Sequence, residues 1–315
     1  MTGQTVPRAA ASPAIDAAPR PRMLLGVIIA LAAAAAFALA NTSASVAYQA
    51  GSNALTIAAT RFVLPAVALV VWLRISGIPL LLAPRNGLAA ASLGVLTAFY
   101  NWALLRSFGS IPFAVAVLIF YLFPLIAAAM VAGLGWEKLT WRTIAAGVVA
   151  FAGLALALDV RGGNLDVSGV ALAFLAAFGI AVVVAISGRI FRKVDARPLT
   201  LYMAATASVL LILLCCVNGD FMWPKTPAGW TGFAAAAVLY GFAMIAFFIA
   251  VSIIGPVRAS LLSYADAVMS AALGVIVLGQ ALRPLQILGI AIVVLALIGA
   301  TTRPRPPTAS SGGAP

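Results

Sequence analysis

The chain has 315 residues, 64% of them hydrophobic and only 8% charged, with a mean hydropathy of +1.14, which excludes an ordinary soluble globular domain. Its net charge of +12 is spread along the sequence instead of gathered in one segment, which argues against a nucleic-acid interface. Histidine is absent, so the commonest metal ligand and the usual proton carrier near neutral pH are missing, and any titrating site must rest on carboxylates.

Residues 1–22, rich in Pro and Ala, predict a disordered cytoplasmic tail. Arg20 and Arg22 ahead of "MLLGVIIALAAAAAFALA" imitate a signal peptide, but the apolar run continues towards Val46, so an uncleaved first span is expected. Runs long enough to cross a hydrocarbon core of about 30 Å as helices then predict spans at 24–46, 54–74, 88–106, 111–133, 142–160, 168–188, 199–217, 229–250, 256–279 and 284–301. Barrel strands would instead show short alternating segments. The connections carry turn chemistry, namely "SGIP", "GSIP", "VRGGN", "VNGDFMWPKTP" and "IIGP". Trp72, Trp136, Trp141, Trp223 and Trp230 fall at predicted span ends, where an indole meets the headgroups. Cys215 and Cys216 are neighbours inside a span, point apart and imply no disulfide framework. Residues 303–315, Pro, Gly and Ser with two arginines, predict a second disordered tail.

Placing the amino terminus in the cytoplasm assigns 14 Lys and Arg residues to the inside against 4 outside, with Arg61 within a span. Both termini are therefore expected in the cytoplasm, around a multi-pass protein of the cell inner (plasma) membrane. The two halves repeat. "GVIIALAAA" from Gly26 aligns with "GVALAFLAA" from Gly169, and the same offset pairs Tyr121 with Tyr264 and Glu137 with Gln280. Five spans separate equivalent helices, and an odd number places the halves in opposite orientations, the design of many secondary transporters. The expected fold is all-α and integral to the membrane, with ten transmembrane helices in two inverted five-helix repeats, 23–160 and 161–302.

The runs "PFAVAVLIFYLFPLIAAAMVAGLGWEKLTWRTIAAGVVAFAGLAL" and "GPVRASLLSYADAVMSAALGVIVLGQALRPLQILGIAIVVLALIGA" resemble the paired repeats of the EamA family in the drug/metabolite transporter superfamily. The resemblance covers nearly everything between the tails, and having the pattern twice makes it specific to the family, though not to a substrate. It implies two inverted five-helix repeats around a central cavity, moving small metabolites, often as exporters, without nucleotide hydrolysis. The chain departs from the pattern at three places: Ala267 stands where the first repeat has Pro124, Asp266 where a Glu is common, and Gln280 opposite Glu137.

Of the seven acids, only Asp266 falls in mid-membrane, where a carboxylate costs roughly 2.5–3.5 kcal/mol on insertion scales. On a continuous helix it shares a face with Ser263 and Ser270. Four readings stand: a counter-ion for Arg61, a ligand for a cationic or zwitterionic substrate, a proton-exchanging group, or a protonated side chain that serves packing alone. Arg61 either snorkels to the outer headgroups or turns inward towards Asp266 or a substrate anion. Tyr121, Tyr264, Asn41 and Asn101 complete the candidate cavity lining, because phenolic and amide groups at that depth need partners. Pro124 is the hinge candidate. Glu137 reads as a cytoplasmic loop ion pair with Lys138 and Arg142, and with Gln280 as a structural feature of the cytoplasmic end.

No lysine follows a glycine, so the GxxxxGK[ST] phosphate loop is absent. The expected partners are a small-molecule substrate and membrane lipids, with no nucleic acid, nucleotide, metal or cofactor; a homodimer is left open. The leading function is export of amino acids or related amphipathic metabolites by alternating access, driven through Asp266 if by protons. The competing functions are a lipid or polyprenyl-carrier flippase and a membrane enzyme, for which Asp159 and Asp166 are the only close acidic pair.

Overall fold

The computed structural model describes residues 20–137, 139–159, 165–278 and 283–301, all of it helices and connections. Residues 1–19 and 302–315, Lys138, Arg161 and Gln280 lie outside the described residues, while residues 20–22, expected in the amino-terminal tail, already belong to the first helix. The helices are α1 (Arg20–Gln49), α2 (Ala54–Arg61), α3 (Val63–Ile75), α4 (Pro84–Ser107), α5 (Phe113–Phe120), α6 (Phe123–Gly133) and α7 (Trp141–Ala157) in the first half. The second half holds α8 (Val167–Ile190), α9 (Ala196–Asn218), α10 (Pro227–Ile254), α11 (Pro256–Leu262), α12 (Tyr264–Leu278) and α13 (Pro284–Thr301).

Among the described residues, seven stretches are long and apolar enough to cross a membrane: Arg22–Gln49, Ala54–Ile75, Pro84–Ser107, Phe113–Gly133, Val167–Ile190, Ala196–Asn218 and Pro227–Ile254. Trp141–Ala157 and Pro284–Gly299 are shorter apolar helices. The 17 residues of α7 rise only about 26 Å, at the lower limit for a span.

Local chemistry sets the helix ends. Asn53, Thr140, Asp166, Asp195 and Thr226 each accept a backbone N–H from the first turn that they cap. Gly219 ends α9 at φ 66°, a left-handed position that suits glycine. Three spans that read as continuous are interrupted. Pro65 has no N–H to offer the Arg61 carbonyl, and the chain breaks at Phe62 between α2 and α3. Pro124 denies the Phe120 carbonyl in the same way, and α5 gives way to α6 at Tyr121 and Leu122. The third break corrects the expectation of one helix over 256–279. It falls at Ser263 without a proline, where Ser263 donates to the Ser260 carbonyl at 3.1 Å and Asp266 to the Ser263 carbonyl at 3.1 Å, the tighter three-residue pattern.

Equivalent helices run antiparallel where they meet. The start of α13 lies against the end of α7, with Gln286 donating to the Ala157 carbonyl at 3.2 Å and Arg283 paired with Asp159 at 2.8 Å. The start of α2 meets the end of α9, with Asn53 donating to the Asp220 carbonyl at 2.7 Å, while Leu73 packs on Leu201 at the other end. Equivalent elements that cross antiparallel require a two-fold axis perpendicular to them, so the repeats are inverted.

Small residues let these helices approach. Any side chain at Gly289 would collide with the backbone of Gly153, Leu156 and Ala157, and one at Gly232 would meet the Ser43 carbonyl in the α1–α10 pair. The interior is alanine-rich, from Ala30, Ala33 and Ala34 to Ala176, Ala177 and Ala250, whereas Leu25, Ile28, Val67, Phe242 and Leu295 lie exposed as a lipid-facing belt. With lipid as apolar as leucine, close packing rather than hydrophobic burial holds such a bundle together.

Candidate functional site

The break at Ser263 places Asp266 in the first turn of a new helix within the bundle. That position gives the carboxylate the positive end of the α12 dipole. Asp266 is 9% exposed; its Oδ2 accepts from the Tyr121 hydroxyl at 2.8 Å and its Oδ1 from Ser270 Oγ at 3.2 Å. Ser263 does not join it, donating instead to the Ala259 carbonyl at 3.4 Å. The Tyr264 hydroxyl donates to the Tyr121 carbonyl at 3.1 Å, and the two rings lie 6.1 Å apart. Both bonds cross from one repeat to the other and join the two interrupted spans at their breaks.

Arg61 ends α2 and turns into the bundle, not out to the headgroups. Its guanidinium donates to Asn101 Oδ1, and its carbon sits 4.1 Å from the ring centroid of Tyr240 and 5.5 Å from that of Phe62. Asn101 is held in that sense because its Nδ2 donates to the Thr97 carbonyl at 2.8 Å. Phe37 and Phe62 pack edge-on against Tyr240, each at 5.3 Å. Arg61 and Asp266, a conceivable pair from the sequence, form no ion pair; they anchor separate clusters.

Asn41 is exposed on α1, two residues and about 200° from the exposed Leu39, so the two look out on opposite sides. Tyr48, seven residues further on, shares the Asn41 side and lies within electrostatic reach of Arg61. Pro124 stands in the first turn of α6, just past the break in its span.

Glu137 departs from the expected pairing with Arg142: among the described residues it pairs with Arg192 of the α8–α9 connection at 3.5 Å. Arg192 also reaches the Trp136 carbonyl at 3.5 Å, while the Arg189 guanidinium lies 4.6 Å over the Trp136 ring. Burial raises the Glu137 carboxyl above its ordinary range, opposed by Arg192 and then Arg258. Gly255, at φ 85°, turns the chain beside this carboxylate, whose Oε1 would lie 2.9 Å from any added Cβ.

The close acidic pair is occupied separately: Asp159 binds Arg283, and Asp166 caps α8 through Ser168. A groove of about 440 Å³ lined by Trp72, Phe191, Asp195, Arg197, Ile249 and Ser252 contains none of the expected site residues. Tyr240 lies in an apolar run with nothing local in the sequence to mark it, and the fold brings it, together with Tyr100 beside Asn101, within reach of Arg61.

No curated protein matches the chain. A solved structure described only as "Crystal structure of protein" superposes with a TM-score of 0.76 at 23% identity, covering 90% of this chain and 97% of its own, a likeness of fold alone. The model of the EamA-like transporter family matches residues 24–158 and 167–302, once per repeat. The protein is thus a multi-pass membrane protein of two inverted repeats that belongs to the EamA-like transporter family.

Proposed function

We propose that this protein is a secondary transporter that exports small amphipathic metabolites, amino acids or close relatives, across the inner membrane by alternating access. In this reading ten spans form the bundle, with α11–α12, α7 and α13 supplying the three beyond the seven long apolar stretches, and both termini are cytoplasmic. The carrying observation is the pair of hydrogen bonds between the breaks of α5–α6 and α11–α12. A rocking of one repeat against the other must strain or exchange them, and one partner is a carboxylate. Protonating Asp266 would turn an acceptor of two bonds into a group that also donates, which ties the occupancy of a proton to the arrangement of the repeats.

The test is efflux from proteoliposomes loaded with labelled amino acids under an imposed pH gradient. Wild-type flux should follow the gradient, and Asp266→Asn should uncouple it. Equal proton-dependent flux in both proteins would end the coupling proposal; movement of a fluorescent lipid in place of metabolites would support the flippase reading.

A further inference from the structure

We infer that Arg61 is a recognition site for a single carboxylate on the transported molecule, so that the substrates are carboxylate-bearing compounds and plain amines are excluded. This rests on the transport reading above and names the chemistry of its substrate. Among the described residues Arg61 has no carboxylate within ion-pair distance. Glu137 is engaged with Arg192, Asp159 with Arg283 and Asp195 with Arg197, while Asp266 is held by Tyr121 and Ser270. The groups that do touch Arg61 are neutral: an amide oxygen and two aromatic faces. They fix the orientation of the guanidinium without cancelling its charge.

Donor accounting agrees. A guanidinium carries five N–H donors; the structure gives one group a partner in Asn101, and the buried Nε has none. An unpaired donor on a buried charged group is costly unless something arrives to accept from it. A planar carboxylate matches a guanidinium edge in geometry and in charge, whereas a phosphate dianion would leave excess negative charge against a lone cation.

Access and selectivity follow from the neighbours. Arg61 is half-buried, and Tyr48, exposed on α1, lies within electrostatic reach of it. Phe37, half-buried against Tyr240, offers aromatic surface for the apolar body of a substrate, while the buried Phe62 and Tyr240 rings hold the guanidinium. The repeat supplies no second copy: the equivalents of Arg61 and Asn101 are Ala204 and Met244, so the bundle holds one such cation and binds one carboxylate at a time.

Proteoliposomes are loaded with an equimolar mixture of the standard amino acids and the amines obtained by removing their carboxyl groups, and efflux is followed by mass spectrometry. Wild-type protein should release amino acids and retain the amines. Arg61→Gln should lower amino-acid efflux at least tenfold, and Arg61→Lys, which keeps the charge but not the planar fork, should fall between. The amount of each variant in the vesicles, measured by immunoblot, normalises the rates. Efflux of amines at a rate comparable with their parent amino acids would overturn the inference and leave transport standing. Unchanged amino-acid efflux by Arg61→Gln would do the same, whereas no efflux of either set by the wild type would overturn the transport reading and the inference with it.

Discussion

Removing the Tyr121 hydroxyl is the sharpest test of the link between the repeats. In Tyr121→Phe the ring remains, and with it the contacts to Phe120, Phe123 and Tyr264, so the change isolates one bond of 2.8 Å to a carboxylate. Two magnitudes compete. A hydrogen bond to a charged group contributes about 1.5–3 kcal/mol in proteins generally. Interhelical bonds within membranes average only about 0.6 and reach about 1.7, because helices separated in lipid find other partners. Here both ends are nearly inaccessible, Tyr121 at 7% and Asp266 at 9%, so water does not replace the lost donor and the upper part of the membrane range applies. We expect a coupling of about 1–2 kcal/mol in a double-mutant cycle of Tyr121→Phe and Asp266→Asn. The assay is unfolding by SDS titration in mixed micelles, followed by intrinsic tryptophan fluorescence. Additive single and double variants, with coupling below about 0.3 kcal/mol, would refute the reasoning.

Further predictions concern the buried Glu137 carboxyl, two helix caps and the repeat interface. Because burial raises Glu137 above its ordinary 4.5, the folded state holds a proton there that the unfolded chain has already released. Its contribution is complete below pH 4.5 and is lost as pH rises through the folded-state value, so Glu137→Gln should flatten a decline in stability above that pH. Asp166 and Asp195, both lowered chiefly by their hydrogen bonds, lose their contribution only as pH falls below 3.8, a separate window in the same titration. Gly289→Leu should force α13 off α7 and cost about 3 kcal/mol or more, read as loss of monodisperse protein in detergent chromatography. Gly133→Leu, with nothing within 4 Å of the added carbon, should behave as wild type.

The helical membrane-spanning class, the repeat and its inversion were legible in the sequence because each depends on local or additive quantities. Apolar runs, turn residues at "SGIP" and "GSIP", and the balance of Lys and Arg need no knowledge of what packs on what. Asp266 stood out for the same reason, since the cost of a carboxylate in mid-span is a property of its depth.

Tertiary structure decided the rest. The break at Ser263 has no proline to announce it, so the sequence showed a polar stripe of Ser263, Asp266 and Ser270, whereas the fold turns Ser263 onto its own helix and brings Tyr121 from the other repeat. Arg61 could reach outward or inward with equal local cost; Asn101 and Tyr240, 40 and 179 residues away along the chain, make the inward position the one with partners. Glu137 meets Arg192, 55 residues away along the chain, because α6 and α8 pack together. Composition and periodicity report what a residue needs, but the partner that meets the need is supplied by contacts distant in sequence, and those are set only when the helices pack.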